Sequence, residues 1–376
     1  MKKLKVMTIL GTRPEIIRLS RVMARLETVV DHVIVHTGQN YDYELNEVFF
    51  EDLGVRKPDH FLGVGGGTLG ETLGAILTQT EKALVAEKPD AVVILGDTNS
   101  AIAAIIARRM KIPVYHMEAG NRSYDRNVPE ETNRRLVDHI ADFNLVYTEH
   151  ARRHLLSEGL EHRRIYLTGS PMREVLEHYR AQIDASDILK RLKLTAGGYF
   201  IVSLHREENV DNAERLAALM DTLNGLASKF GKPVIVSTHP RTRQRLDKLD
   251  AITDPLVRFE KPFGFHDYNH LQMKAFCAIS DSGTIAEESS ILGFPAITPR
   301  DAIERPEAMD TGSIIVTGLN ADTILEAINL VTTTTTIQPM PEDYAITNTS
   351  ERVVRLVLGT ARLSNGWDGI RLNDNV

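Results

Sequence analysis

The chain has 376 residues, of which 42% are apolar and 25% charged, with a formal net charge of −7 and a single cysteine. That length predicts two domains. The acidic balance disfavours a general nucleic-acid binder, whose affinity rests on a cationic face, and no run of roughly 18 apolar residues is present to span a bilayer. Cys277 stands alone, which excludes an intrachain disulfide and a cysteine-based metal site and fits a reducing cytoplasm, where it reads as buried filler.

The basic start, Met1-Lys2-Lys3, leads into "LKVMTIL" and then Gly11-Thr12-Arg13-Pro14 without a small-residue cleavage site, so it reads as a first strand and not a signal peptide. Short apolar, β-branched runs follow in turn: "KVMTIL", "HVIVHT", "AVVILGD", "VYHME", "FNLVYT", "RIYLTG", and after a gap "YFIVSLH", "PVIVSTH", "VRFEK", "AFCAISD", "PAITP" and "SIIVTG". Helical segments separate them, a pattern that predicts α/β architecture with parallel sheets covered on both faces. The gap between Gly169 and Tyr199 holds helical stretches and Gly197-Gly198, and reads as the crossover between domains at 1–171 and 172–354, each with about six strands. The threonine run Thr332–Thr336 reads as a surface loop, and the polar tail after Arg362 as loosely ordered.

In open parallel sheets, ligands bind beyond the carboxyl ends of the strands. Here those ends are polar: Gly11-Thr12-Arg13, Asp97-Thr98, Glu118, His205-Arg206, His239-Pro240-Arg241 and Asp281-Ser282-Gly283. The literal G-x-G-x-x-G at Gly65, Gly67 and Gly70 follows a broken strand and lacks a correctly placed acid, so it is read as a loop feeding a helix. Better anion sites are "SDSGTIAEE", where Ser282 and Gly283 lie between a strand and a helix start, and "GTRPE", where Arg13 precedes Pro14 at another helix start with Arg18 further along it. Glu287 or Glu288, one turn into its helix, is placed to take a ribose diol.

The segment "HMEAGNRSYDRNVPEETNRR" gathers four carboxylates and four arginines. Asp97 and Glu118 end neighbouring runs, and Glu130 and Glu131 follow, an assembly fitting a proton-transfer site whose competing roles are capping and ion pairing. No histidine pair shows metal-ligand spacing. His205, among Arg206, Glu207 and Glu208, is the strand-end histidine favoured for function.

"GTRPE", "GDTNS", "HMEAGNR", "VPEETNRR", "HRE", "SDSG", "EE" and "ERPEA" resemble, in order and over about 360 residues, the non-hydrolysing UDP-N-acetylglucosamine 2-epimerases. The resemblance implies two Rossmann-like domains of the glycosyltransferase-B type with a cleft between them, a last segment near 355–376 packing back on the first domain, a cytoplasmic homodimer, and no metal or redox cofactor. It implies C2 inversion by elimination of UDP to a 2-acetamidoglucal and re-addition. Asp97, Glu118 and Glu130 then match catalytic carboxylates and His205 a phosphate-contacting catalytic histidine. Arg13, Arg18, Ser282, Gly283, Glu288 and Arg305 match substrate or UDP contacts, and Tyr268 a ring stacked on uracil.

"TGQNYDYELNEVFF", "HREENVDN", "STHPRTR" and "KPFGFHDYNHLQ" resemble a branch acting on 6-deoxy-L-sugars, which converts UDP-2-acetamido-2,6-dideoxy-β-L-talose to UDP-N-acetyl-L-fucosamine for capsule or O-antigen. The alternatives are an epimerase acting on UDP-N-acetylglucosamine and a retaining glycosyltransferase of the same fold.

Overall fold

The structure is a computed structural model that describes residues 3–39, 50, 52–204, 213–238, 243, 245–246, 253–334 and 338–370. It divides into two compact units, Met1–His178 with Glu342–Val376, and Tyr179–Pro341.

The first unit holds β1 (Lys5–Leu10), β2 (Asp31–His36), β3 (His60–Phe61), β4 (Ala91–Leu95), β5 (Val114–Ala119), β6 (Phe143–Val146) and β7 (Ile165–Leu167). They form one parallel sheet in the order β3-β2-β1-β4-β5-β6-β7. Every residue of β4 is buried and all but the first of β1, as continuous β-branched strands covered on both faces require. Each fully buried Val or Ile here contributes roughly 2 kcal/mol of transfer free energy. The chain order reverses between β1 and β4, so this sheet's switch point lies between the loops that carry Arg13 and Asp97.

The second unit holds β8 (Phe200–Ser203), β9 (Val234–Ser237), β10 (Val257–Glu260), β11 (Cys277–Ser280), β12 (Ala296–Thr298) and β13 (Ile315–Val316), parallel in the order β10-β9-β8-β11-β12-β13. The strand period divides its core. Phe200, Val202, Cys277 and Ile279 join one cluster, while Ile201, Ile235 and Ala278 join the other. Its switch point lies between β8 and β11, the second of which leads into Asp281-Ser282-Gly283.

The twelve apolar runs of the sequence are all strands. β3 was not foreseen, because two residues carry no periodicity. Two expectations need correction. Thr332 and Thr333 lie in the helix Ala321–Thr333, their hydroxyls donating to Ile328 and Asn329 carbonyls at 2.7 and 2.6 Å, and Thr334 is the residue that caps it. The tail is docked as far as Ile370. Arg164 lies 5.4 Å above the Trp367 ring and ion-pairs with Asp368, while Asn365 donates to the Lys111 carbonyl at 2.8 Å.

The helix Thr349–Thr360 belongs to the first unit. Thr349 donates to the carbonyls of Thr168 and Ser170, and the Tyr115 and Thr360 hydroxyls meet at 2.6 Å. Arg25, from the helix Arg13–Val29, reaches Glu351 at 2.7 Å. Among the described residues no helix is long and apolar enough to cross a membrane.

Candidate active site

In the first unit, β1 delivers Gly11 and Thr12 to the start of the helix Arg13–Val29, where Pro14 occupies the first turn and its missing N–H costs nothing. Gly11 has a steric reason. A Cβ there would lie 2.1 Å from both the Ser100 and Thr37 hydroxyl oxygens, which meet each other at 2.7 Å. Glu15 ties this loop to the one after β4: it accepts from the Gly11 N–H at 3.0 Å, the Thr12 hydroxyl at 2.7 Å and the Thr98 hydroxyl at 3.1 Å. Burial pushes its carboxyl up to about 7 against the pull of those three bonds.

Asp97 follows β4 and is half-buried. Arg134 grips it by a single oxygen, Oδ2, from Nε at 3.0 Å and Nη2 at 2.5 Å, and Asn133 donates to its main-chain carbonyl at 2.9 Å. Glu118 sits in β5 at a register shift between Met117 and Ala119, with φ at 63°. That left-handed conformation is rare for a residue with a side chain and costs on the order of 1 kcal/mol. It turns the carboxylate onto Arg18, with which it forms an ion pair, while Asn121 donates to it at 3.5 Å. Arg18 is therefore a buried partner and not a solvated surface arginine.

Glu130 and Glu131, alike in sequence, are separated by helix phase. Glu131 is 4% exposed and closes the preceding loop by accepting from Ser123 N–H and hydroxyl at 3.0 and 3.1 Å; Arg134 and Arg135 also reach it, at 3.1 and 2.9 Å. Glu130, one residue earlier, stays half-buried in the first turn of the helix Pro129–Ile140. Arg13 is half-buried as well. His205, with Arg206, His239 and Arg241, lies outside the described residues.

In the second unit, Ser282 and Gly283 lie between β11 and the helix Ile285–Leu292. The Ser280 hydroxyl accepts from Ser282 N–H at 3.1 Å, and the Ser282 and Thr284 hydroxyls meet at 2.9 Å. Arg305, 2% exposed, donates through Nε to the Gly283 carbonyl at 2.7 Å and sets Nη1 3.2 Å from Glu287, itself fully buried. Glu288 accepts from Gln272 at 2.8 Å. The Tyr268 hydroxyl bonds to Ser203 and Ser280, and burial with the nearby Glu288 charge pushes its phenol upward.

Neither Arg134 nor Gln272 was singled out from the sequence, although Arg134 stands one helical turn after Glu130. Among the described residues, no group of three metal-ligating side chains is placed to hold an ion.

Residues 24–358 match the family model described as UDP-N-acetylglucosamine 2-epimerase. The chain belongs to that family. The epimerases it resembles include a solved UDP-N-acetylglucosamine 2-epimerase from Rickettsia bellii, 45% identical over 96% of this chain and 98% of that one, with a TM-score of 0.90. The Methanocaldococcus jannaschii UDP-GlcNAc 2-epimerase, solved in complex with UDP-GlcNAc and UDP, is 37% identical over 95% of this chain and all of that one, with a TM-score of 0.89. A Pseudomonas aeruginosa relative, UDP-2,3-diacetamido-2,3-dideoxy-D-glucuronate 2-epimerase, is 34% identical over 86% of this chain and 91% of its own. As a member of this family the protein is an isomerase of nucleotide sugars, a UDP-N-acetyl-sugar 2-epimerase built from two α/β units of the glycosyltransferase-B type.

Two outcomes are expected of this epimerase. Glu15 holds its proton to higher pH folded than unfolded, so the folded state binds more protons between about pH 4.5 and 7 and loses stability as pH rises through that window, by on the order of 3 kcal/mol. Thermal melts from pH 4.5 to 8 should therefore be flatter for Glu15→Gln than for the native chain. Arg305→Ala removes the guanidinium from buried Glu287 and from the Gly283 carbonyl, and should cost about 3 kcal/mol of stability, measured by chemical denaturation.

Proposed function

We propose that this epimerase inverts C2 of UDP-2-acetamido-2,6-dideoxy-β-L-talose to give UDP-N-acetyl-L-fucosamine. The observation that carries the chemistry is the pair of carboxylates at neighbouring strand ends, Asp97 and Glu118, each tied to its own arginine. Because both Arg134 nitrogens bond to Asp97 Oδ2, the remaining oxygen is left by that fork and can exchange a proton without breaking it. Glu130 completes the acid set.

The C2–H bond has no carbonyl to acidify it. One carboxylate takes the C2 proton as the C1–O bond to UDP breaks, its electrons leaving with UDP, and a C1=C2 double bond forms in the corresponding 2-acetamidoglycal. A protonated acid then delivers a proton to the opposite face of C2 while a UDP oxygen re-forms the bond to C1. Charge developing on departing UDP calls for donors prepared in advance. His205, Arg13, Arg18 and Arg305, the Ser282-Gly283 backbone at a helix start, Glu288 on the ribose and Tyr268 on the uracil supply that set by family resemblance.

Support for the 6-deoxy substrate comes from "HREENVDN", "STHPRTR" and "KPFGFHDYNHLQ". A second reading, UDP-N-acetylglucosamine itself, is favoured by the names of most relatives. The reading further includes a cytoplasmic homodimer without metal or redox cofactor, serving capsule or O-antigen synthesis.

Proton NMR in D2O with each UDP-sugar in parallel decides the substrate. Deuterium at C2 and a new epimer are expected with the 6-deoxy-L-talose derivative. The same result only with UDP-N-acetylglucosamine would replace it, and UDP release without exchange in either would point to sugar transfer instead. Asp97→Asn and Glu118→Gln should each abolish C2 exchange while leaving the UDP dissociation constant within about threefold, since neither replacement removes a group assigned to the nucleotide. Near-native exchange in both would remove these acids from the chemistry.

A further inference from the structure

Glu118 occupies a left-handed conformation that its own side chain does not favour, and such strain persists only where surrounding structure over-determines it. What over-determines it is one buried carboxylate outside the catalytic set. We infer that Asp138, near the far end of the helix Pro129–Ile140, is the positioning residue that fixes the backbone turn of Glu118.

Asp138 and its partners His116 and Arg122 all have fully buried side chains. The Asp138 carboxylate lies 2.9 Å from His116 Nδ1, accepts from the Gly120 N–H at 3.3 and 3.2 Å on its two oxygens, and accepts from Arg122 Nη1 at 2.7 Å. These contacts fall two residues before Glu118, two after it and four after it, so a single anion brackets the bulge from both sides. None of them touches the Glu118 carboxylate.

The bracket is anchored in turn. His116 Nε2 donates to the Gly96 carbonyl at 2.7 Å and joins the bulge to the residue before Asp97. Arg122 spreads its other nitrogens over Glu158 at 2.8 and 2.7 Å, and also donates to the Asn121 carbonyl at 2.7 Å. Glu158 also receives Arg135 at 3.0 Å and His139 at 3.2 Å. Gly120, with φ at 82°, admits no side chain, because a Cβ would meet the Ala151 carbonyl oxygen at 2.4 Å. His154 holds the Gly120 carbonyl at 2.9 Å.

Stability is a poor reason for this arrangement, since a buried ion network is commonly no more stable than well-packed apolar residues of like size. Its distinctive product is geometric: it leaves the chain from His116 to Arg122 one path, and that path aims Glu118.

The inference rests on the reading of Glu118 as a catalytic acid. Asp138→Asn keeps the shape but withdraws the charge that gathers Arg122. It should lower kcat about 100-fold, the scale of an ångström's misplacement of a reacting group, with KM and the UDP dissociation constant unchanged within about threefold. Amide hydrogen exchange should rise in residues 117–122 while the β1 and β8 amides keep their protection. An unchanged kcat overturns the proposal, and so does a fall in kcat accompanied by equal loss of protection throughout the chain, which is the signature of a merely structural residue. Should Asp138→Asn fail to fold, the milder Glu158→Gln loosens Arg122 from its outer side. It should lower kcat about fivefold, well short of that full misplacement, with the same local exchange pattern, and a native kcat there overturns the proposal. Near-native turnover in Glu118→Gln would refute the catalytic reading of Glu118 instead, and is measured independently of either variant.

Discussion

The helix Pro129–Ile140 buries charge where most helices bury aliphatic side chains, and the first unit's candidate site depends on that inversion. Glu131, Arg134 and Asp138 share its inward face with Val137. Each serves a different stretch of chain: Glu131 closes the loop at Ser123, Arg134 holds Asp97 beyond β4, and Asp138 gathers the residues around Glu118 at the end of β5. Spacing of three and four residues puts them on one face, so a single rigid rod sets three loops at once. Much of the charge collected between His116 and Arg135 is thus scaffold, while Glu118 and Glu130 within it, with Asp97, are the acids the family resemblance assigns to chemistry.

The second unit orders its strand-end loop around Ser282 and Gly283 with hydrogen bonds to buried side chains. Arg305, deeply placed in the loop region, is matched by Glu287 and spends Nε on the Gly283 carbonyl. With that carbonyl turned inward, the Ser282-Gly283 turn leads into the start of the helix Ile285–Leu292. Gln272 and Tyr268, both from the helix Phe265–Lys274, brace the other side through Glu288 and Ser280.

The α/β class was legible because parallel strands buried on both faces appear as short β-branched runs, and these need no tertiary information to see. Loops ending the runs at Gly11, Asp97, Glu118 and Ser282 were legible for the same reason: a polar residue straight after an apolar run stands out. What escaped depends on direction or distance. Glu130 and Glu131 differ only by the 100° between consecutive helix positions, so composition treats them as equals while the fold buries one. Arg18 was legible as a site arginine, but its pairing with Glu118, 100 residues later, left no signal in the sequence. The tail looked polar and loose because its anchor, Arg164, lies about two hundred residues earlier. Asp138 gave no local signal, since an acid late in a helix is ordinary and its partners precede it in β5 and the loop after it.

Buried charge carries a desolvation cost of several kcal/mol per ion, recovered only with good geometry. In the first unit that geometry is unusually shared. Arg122 bridges Asp138 and Glu158, and Arg134 bridges Asp97 and Glu131, so withdrawing one ion disturbs at least two others. Networks of this kind are stiff because their members have few alternative partners that are not also charged. Stiffness has a use in a reaction that must deprotonate one face of C2 and protonate the other without letting the two acids exchange places. A left-handed Glu118 that relaxed to ordinary strand geometry would swing its carboxylate toward the other face of the sheet, away from Arg18. The strain at φ 63° and the network that holds it are therefore two halves of one device, and the conformational cost of about 1 kcal/mol is small beside the penalty for a misplaced acid.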